Sequence, residues 1–157
     1  MPKRAPRLAV KSSSLHGLGV FAREDIQINC RVGVLRGKEV SPEDLVEADE
    51  VHLYQGKHGK IYDAFKTKLN VFKNSNHSCE VSDWMFIVDH TGLILVSLQP
   101  NMGPVSQDNG DVWLFALRTI SKDDELTWNY GCKPCKEADA TFICKCGSAC
   151  CKRFYIL

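Results

Sequence analysis

Residues 76–79, Asn-His-Ser-Cys, set an amide, an imidazole, a hydroxyl and a thiol on consecutive positions. Four polar groups in a row leave no apolar side to bury, so the run is neither a helix face nor a half-buried strand. It is a surface turn or part of a site. A second concentration of chemistry lies towards the end of the chain. Of eight cysteines, two are Cys30 and Cys79, and the other six are Cys132, Cys135, Cys144, Cys146, Cys150 and Cys151. Cys-x-x-Cys at 132–135 and Cys-x-Cys at 144–146 are spacings at which thiolates converge on a soft cation such as zinc. Buried free thiols and an oxidised disulfide framework are the alternatives.

The elements that must carry these groups read mostly as strands. The chain has 157 residues, enough for one domain with its own core. Its 20 basic and 19 acidic residues carry no general nucleic-acid or membrane signal. No stretch has the apolar length of a membrane span, and "MPKRAPRLAV" lacks the apolar middle of a secretory signal, so a soluble intracellular protein is expected. Candidate strands are "RLAVKSS", "GVFAR", "RVGVLRGKEV", "WMFIVD", "LILVSLQP", "VWLFALRTI" and "ELTWNY", rich in Val, Ile, Leu and aromatic residues. Turns at 89–92 and 107–111 predict antiparallel hairpins between the middle strands, Asn109-Gly110 being the stronger signal. One helix is expected over "SPEDLVEADEVHLY", with Ser41 as its cap, Pro42 in the first helical position and acids in the first turn.

Four motifs occur in a telling order: "HGLGVFA" at 16–22, "NHSC" at 76–79, "LFALRTISKDDELTWNYG" at 114–131 and "CKCGSACC" at 144–151. Together they resemble a SET-domain protein lysine methyltransferase with its post-SET tail, over residues 12 to 152. Asn70 keeps the family's six-residue offset to Asn76. The resemblance implies a mainly β fold with short helices, built of small curved sheets with a knot-like strand crossing and a zinc-binding tail. It divides the chain into a basic N-terminal extension (1–11), a SET domain (12–131) and a cysteine-rich post-SET tail (132–157).

The resemblance further implies S-adenosylmethionine as methyl donor, held by His16, Gly17, Leu18 and Gly19, by the Asn76 amide and by the His77 backbone. Glycines at 17 and 19 suit a backbone that must wrap a compact ligand at close range. Tyr130 matches the catalytic tyrosine, whose hydroxyl orients the attacking amine. Trp128, His52 and Leu35 fall on the substrate channel. Trp128 stands where an aromatic residue limits the number of methyls; lacking a hydroxyl, it leans towards di- or trimethylation, though its bulk could instead narrow the pocket. Glu125 is expected to bond backbone groups in the strand crossing. Cys79, Cys144, Cys146 and Cys151 match a structural zinc site, Cys150 stands outside it, and Cys132, Cys135, Cys144 and Cys146 form a rival set on spacing.

The implied activity is methyl transfer to a protein lysine, with a histone tail lysine or another exposed lysine segment as substrate, chromatin among the partners, and the nucleus, or a host nucleus for a viral chain, as the location. The alternative is a SET-fold module that binds peptide or chromatin without turnover. Leu35 and Lys38 stand where the family often has Tyr and Glu, His52 where another tyrosine is common, and the "PNMGPVSQDNG" loop is longer than usual. These departures point to altered specificity or weak activity.

Overall fold

The structure is a computed structural model that describes residues 4–41, 43–44, 53–67, 70–79, 100–140, 142–148 and 151–156. The strands are β1 (Leu8–Ser12), β2 (Leu18–Ala22), β3 (Arg31–Leu35), β4 (Lys38–Glu39), β5 (Leu53–Gln55), β6 (Ile61–Asp63), β7 (Asn76–His77), β8 (Met102–Ser106), β9 (Val112–Ala116), β10 (Glu125–Trp128), β11 (Lys133–Pro134), β12 (Phe142–Ile143) and β13 (Phe154–Ile156). Helical structure among the described residues includes short 3-10 turns at Lys57–Gly59, Val71–Asn74 and Glu137–Asp139, with Asp44 also in 3-10 conformation.

These strands form three small sheets. The largest runs β1-β2-β10-β8-β9-β3, with β7 also paired to β10; the others are β4-β6-β5 and β11-β13-β12. Strand β9 of the largest alternates strictly between buried and half-buried residues. Val20, Ala22, Val32, Leu114, Ala116 and Leu126 point inwards and form one apolar core with Met102 and Ile120. Strand β10 is the hub. Its Glu125 and Leu126 pair antiparallel with Phe21 and Val20 of β2, and its Thr127 and Trp128 then run parallel with Asn76 and His77 of β7. Trp128 also pairs with Met102 of β8. A short strand with neighbours this far apart in sequence brings the 16–19, 76–79 and 128–130 segments together.

Three readings from the sequence need correction or fall outside the described residues. The 107–111 turn does close a hairpin, with the Gln107 N–H donating to the Asp111 carbonyl at 2.8 Å. Its first arm, however, is β8 at Met102–Ser106, inside the stretch taken as a long loop. Gly103 and Pro104 hid it, because neither favours a strand. Pro104 is tolerated because β8 meets β10 only at Met102, so the missing N–H has no ladder to break on that edge. The expected helix starts as a capped turn, Ser41 Oγ accepting the Asp44 N–H at 3.3 Å. Its last residues, Leu53 and Tyr54, are instead in β5, where pairing with β6 overrides local preference. Residues 45–52, with His52, and residues 80–99, with two expected strands and the 89–92 turn, lie outside the described residues.

Candidate active site

Two cavities meet at Tyr130. The larger, about 420 Å³, is lined by Leu35, Tyr54, Ser75, Trp128, Tyr130 and Cys132 among others. The smaller, about 90 Å³, is lined by His16, Asn76, His77, Tyr130, Phe142 and Lys145 among others. Among the described residues Tyr130 is the one that lines both. Its hydroxyl donates to the Ser75 carbonyl at 2.5 Å, and its backbone N–H donates to His77 Nδ1 at 3.2 Å. Burial pushes the Tyr130 phenol well above its ordinary value, so it stays protonated at neutral pH.

The glycine segment is tied to this point through Asn76. Its amide nitrogen lies 3.1 Å from the His16 carbonyl, 3.0 Å from the Leu18 carbonyl and 2.7 Å from Glu125 Oε1. Three acceptors share two amide hydrogens, so the amide fastens the loop to β10. Gly17 takes a left-handed φ of 46°, and a Cβ there would meet nothing within 4 Å. Of the loop residues, His16 lines the smaller cavity, while Gly17, Leu18 and Gly19 do not. Glu125 corrects the reading from sequence: its carboxylate engages side chains, the Ser13 hydroxyl at 2.8 Å and the Asn76 amide, rather than backbone. Gripping the β10 backbone falls instead to Asn101. This residue, 2% exposed, donates to the Glu125 carbonyl at 2.7 Å and accepts the Thr127 N–H at 2.9 Å.

The larger cavity has an aromatic wall. The Trp128 and Tyr130 ring centroids lie 5.1 Å apart at 56°. Trp128 Nε1–H donates to Ser75 Oγ at 3.0 Å. Leu35 is a core residue that also reaches the cavity lining. Ser75, Asn101 and Phe142 had carried no signal in the sequence. Each acquires its role from a partner remote along the chain.

The cysteines converge as the first of the two expected sets. The sulfurs of Cys79, Cys144, Cys146 and Cys151 all lie within 4.8 Å of one another, with Cys79 and Cys144 3.9 Å apart. Cys132 and Cys135 stand outside this group, and Cys150 is not among the described residues. Four thiolates at about 2.3 Å from a central zinc ion lie about 3.8 Å apart, so the donor set fits a closed tetrahedral site. Burial pushes the Cys79 thiol up to about 12 and raises Cys144 as well, the penalty that a cation would remove. Two further groups touch Cys79: Tyr155 Oη at 3.1 Å and His77 Nε2 at 3.3 Å. Since His77 Nδ1 accepts the Tyr130 N–H, its proton sits on Nε2 and is directed at the sulfur. Burial lowers the His77 pKa to about 4, which keeps the ring neutral.

Small sheets around a central strand thus gather a glycine loop, an asparagine, a half-buried tyrosine shared by two cavities and a cysteine cluster. The family model described as "SET domain" matches residues 17–131, and the chain belongs to that family. Two relatives named "Histone-lysine N-methyltransferase, H3 lysine-4 specific", from Aspergillus oryzae and Aspergillus fumigatus, are each 24% identical over 163 residues. The match covers 98% of this chain and 12% of theirs. The chain thus spans about an eighth of the length of these relatives. Among solved structures, a humanized mutant of the Chaetomium thermophilum Polycomb Repressive Complex 2, bound to the inhibitor GSK126, matches 82% of this chain and 15% of that one. Its TM-score is 0.59 at 23% identity, a likeness of fold.

Proposed function

We propose that this protein transfers a methyl group from S-adenosylmethionine to a protein lysine, with a histone tail lysine as the favoured substrate class. The observation that carries the reading is Tyr130, whose side chain is common to a cavity beside the glycine loop and a larger cavity behind it. A two-substrate transfer needs one group held between two separately entered sites. His16, Asn76 and the aromatic rings of His77 and Phe142 fit a compact nucleoside-containing cofactor in the smaller cavity. The larger cavity, with its Trp128 and Tyr130 wall, suits a lysine side chain.

When bound, S-adenosylmethionine supplies a methyl group on a positive sulfonium, open to in-line displacement by an amine. The chain's own residues align that attack. Tyr130 directs its proton to the Ser75 carbonyl, which leaves lone pairs on its oxygen to accept an amine N–H and orient the nitrogen. As a phenol held protonated by burial, Tyr130 orients and does not act as the base. The lysine, with an ordinary pKa of about 10.4, must arrive neutral, and transfer from water to an apolar channel lowers that value.

Cys79, Cys144, Cys146 and Cys151 would hold a structural zinc ion, which would fasten the cysteine-rich tail beside the smaller cavity, where Phe142, Ile143, Cys144 and Lys145 form part of the wall. Leu35 and Trp128 belong to the lysine channel. The relatives' names support a chromatin substrate and hence a nuclear location. Calorimetric titration with S-adenosylmethionine, followed by mass spectrometry of recombinant core histones and a lysine-centred peptide library, tests the reading. Binding and a 14-Da mass gain per methyl on lysine are expected, in steps that a methyl-for-hydrogen exchange fixes. A folded chain that takes up no cofactor would be a SET-fold binding module instead.

A further inference from the structure

Ser75 does two separate things at the site. It is 2% exposed and sits directly after the 3-10 turn Val71–Asn74. Its N–H and its Oγ both donate to the Phe72 carbonyl, at 3.0 and 2.6 Å, which fixes the rotamer. With its proton used there, Oγ is left as an acceptor, and it takes the Trp128 Nε1–H at 3.0 Å. Its backbone carbonyl independently takes the Tyr130 hydroxyl. One residue therefore holds one aromatic ring by its side chain and the other by its main chain.

Indole has a single donor and no acceptor, so the bond to Ser75 exhausts the hydrogen-bonding capacity of Trp128. The Trp128 face that lines the larger cavity consequently has no group with which to order water. Each successive methyl on a lysine nitrogen replaces an N–H by a bulkier apolar group and needs the space that an ordered water would fill. Resting on the methyltransferase reading above, we propose that Ser75 is a specificity-determining residue: by engaging the Trp128 indole N–H, its hydroxyl keeps water off that wall and lets the pocket admit a second and third methyl group.

Removal of the hydroxyl by Ser75→Ala leaves a half-buried indole N–H without its partner and a space the size of that hydroxyl. Both Ser75 and Trp128 line the large cavity, so water can reach the exposed donor from it. Alanine retains the carbonyl that holds Tyr130 and the N–H that donates to Phe72, so of the two aromatic rings only Trp128 loses its bond.

The test uses the full chain with S-adenosylmethionine, recombinant core histones and a lysine-centred peptide library. Mass spectrometry compares products at equal extent of first methylation. Ser75→Ala is expected to raise the ratio of mono- to trimethyl-lysine by about fivefold or more, the size of one net hydrogen bond. In a Trp128→Phe background, which has no N–H to lose, the same change is expected to move the ratio less than about twofold. Ser75→Cys, similar in shape but a weak acceptor, must shift the ratio in the same direction and guards against a misfolded alanine variant. A readout independent of turnover is hydrogen exchange of the three indole N–H groups in a 15N-tryptophan-labelled chain. The Trp128 signal, identified by its loss in Trp128→Phe, must be protected in the parent and lose protection in Ser75→Ala. An active parent whose product ratio is unchanged by Ser75→Ala, an equal shift in the Trp128→Phe background, or unchanged indole exchange each overturns the inference. A folded parent that methylates nothing overturns instead the activity on which it rests, and the inference falls with it.

Discussion

Gly19→Ala is the smallest change that probes how the glycine loop, Asn76 and β10 are held together. A Cβ on residue 19 would lie 2.3 Å from Glu125 Oε1 and 2.8 Å from Cδ, with Ser13 Cβ at 3.0 Å. Strand β2 cannot move away, because it is paired to β1 on one side and β10 on the other. The carboxylate must therefore retreat by more than 1 Å to reach an ordinary contact of about 3.4 Å. That shift breaks its bonds to the Ser13 hydroxyl at 2.8 Å and the Asn76 amide at 2.7 Å. Hydrogen bonds to a charged group are worth about 1.5–3 kcal/mol each when buried, and partial exposure lets water replace part of that, so a loss of about 2–4 kcal/mol is expected. For a chain of this size the melting temperature should drop by roughly 5–15 °C. Asn76, freed from Glu125, should also lose the side-chain tie that fastens the loop to β10, and S-adenosylmethionine affinity should fall with stability. Calorimetry measures both, and a double-mutant cycle isolates the cause: in a Glu125→Ala background the alanine at 19 should cost almost nothing further. A melting temperature within about 1 °C of the parent and unaltered affinity would refute the steric argument.

Asn76→Ala removes the donor shared by the His16 and Leu18 carbonyls and should weaken S-adenosylmethionine binding by about 1–3 kcal/mol by calorimetry; unchanged affinity would move the cofactor elsewhere. Tyr130→Phe keeps the ring but loses the oxygen that orients the amine. Turnover should fall by roughly 10²-fold with little change in cofactor affinity, and parental turnover would reduce Tyr130 to a packing residue. Cys144→Ser should abolish binding of one zinc ion per chain and expose residues 132–157 to proteolysis. Metal content that stays at one per chain by atomic absorption rejects the ligand set. Since burial pushes the Cys79 thiol up to about 12, metal loading must release protons, so zinc affinity should rise with pH through the neutral range and weaken on acidification.

What was legible in the sequence follows from what each signal depends on. The strands β2, β9 and β10 were readable because they are rich in Val, Leu and aromatic residues, and the 107–111 turn because Asn109-Gly110 favours a hairpin locally. Strand β8 was not, since Pro104 and Gly103 argue against a strand and only the pairing with β9 enforces one. The cysteine set could be narrowed only by the order of motifs, because spacing alone suited Cys132 and Cys135 as well. Ser75, Asn101 and Phe142 were silent for a different reason. Their partners lie 53, 24 to 26 and 65 positions away, at Trp128, at Glu125 and Thr127, and at His77, and no local pattern encodes such contacts.

The run Ser75 to Cys79 shows why a segment with no apolar face can still be buried. Around β7 the backbone is extended, so side chains alternate between two sides. Asn76 turns to the glycine loop and Glu125, where it satisfies the two carbonyls of residues 16 and 18. Ser75, His77 and Cys79 turn the other way, and each finds a polar partner: the Trp128 indole, the Tyr130 backbone N–H and the sulfur of Cys144. Burial of such groups costs little when every donor and acceptor is engaged, and it fixes their orientation in a way that apolar packing does not. The same alternation lines up three functions along five residues. The middle one, His77, accepts from Tyr130 with one ring nitrogen and reaches the Cys79 sulfur with the other. The cysteine cluster and Tyr130 are thereby parts of one hydrogen-bonded unit, which would give a metal at the four thiols a direct structural route to the position of Tyr130.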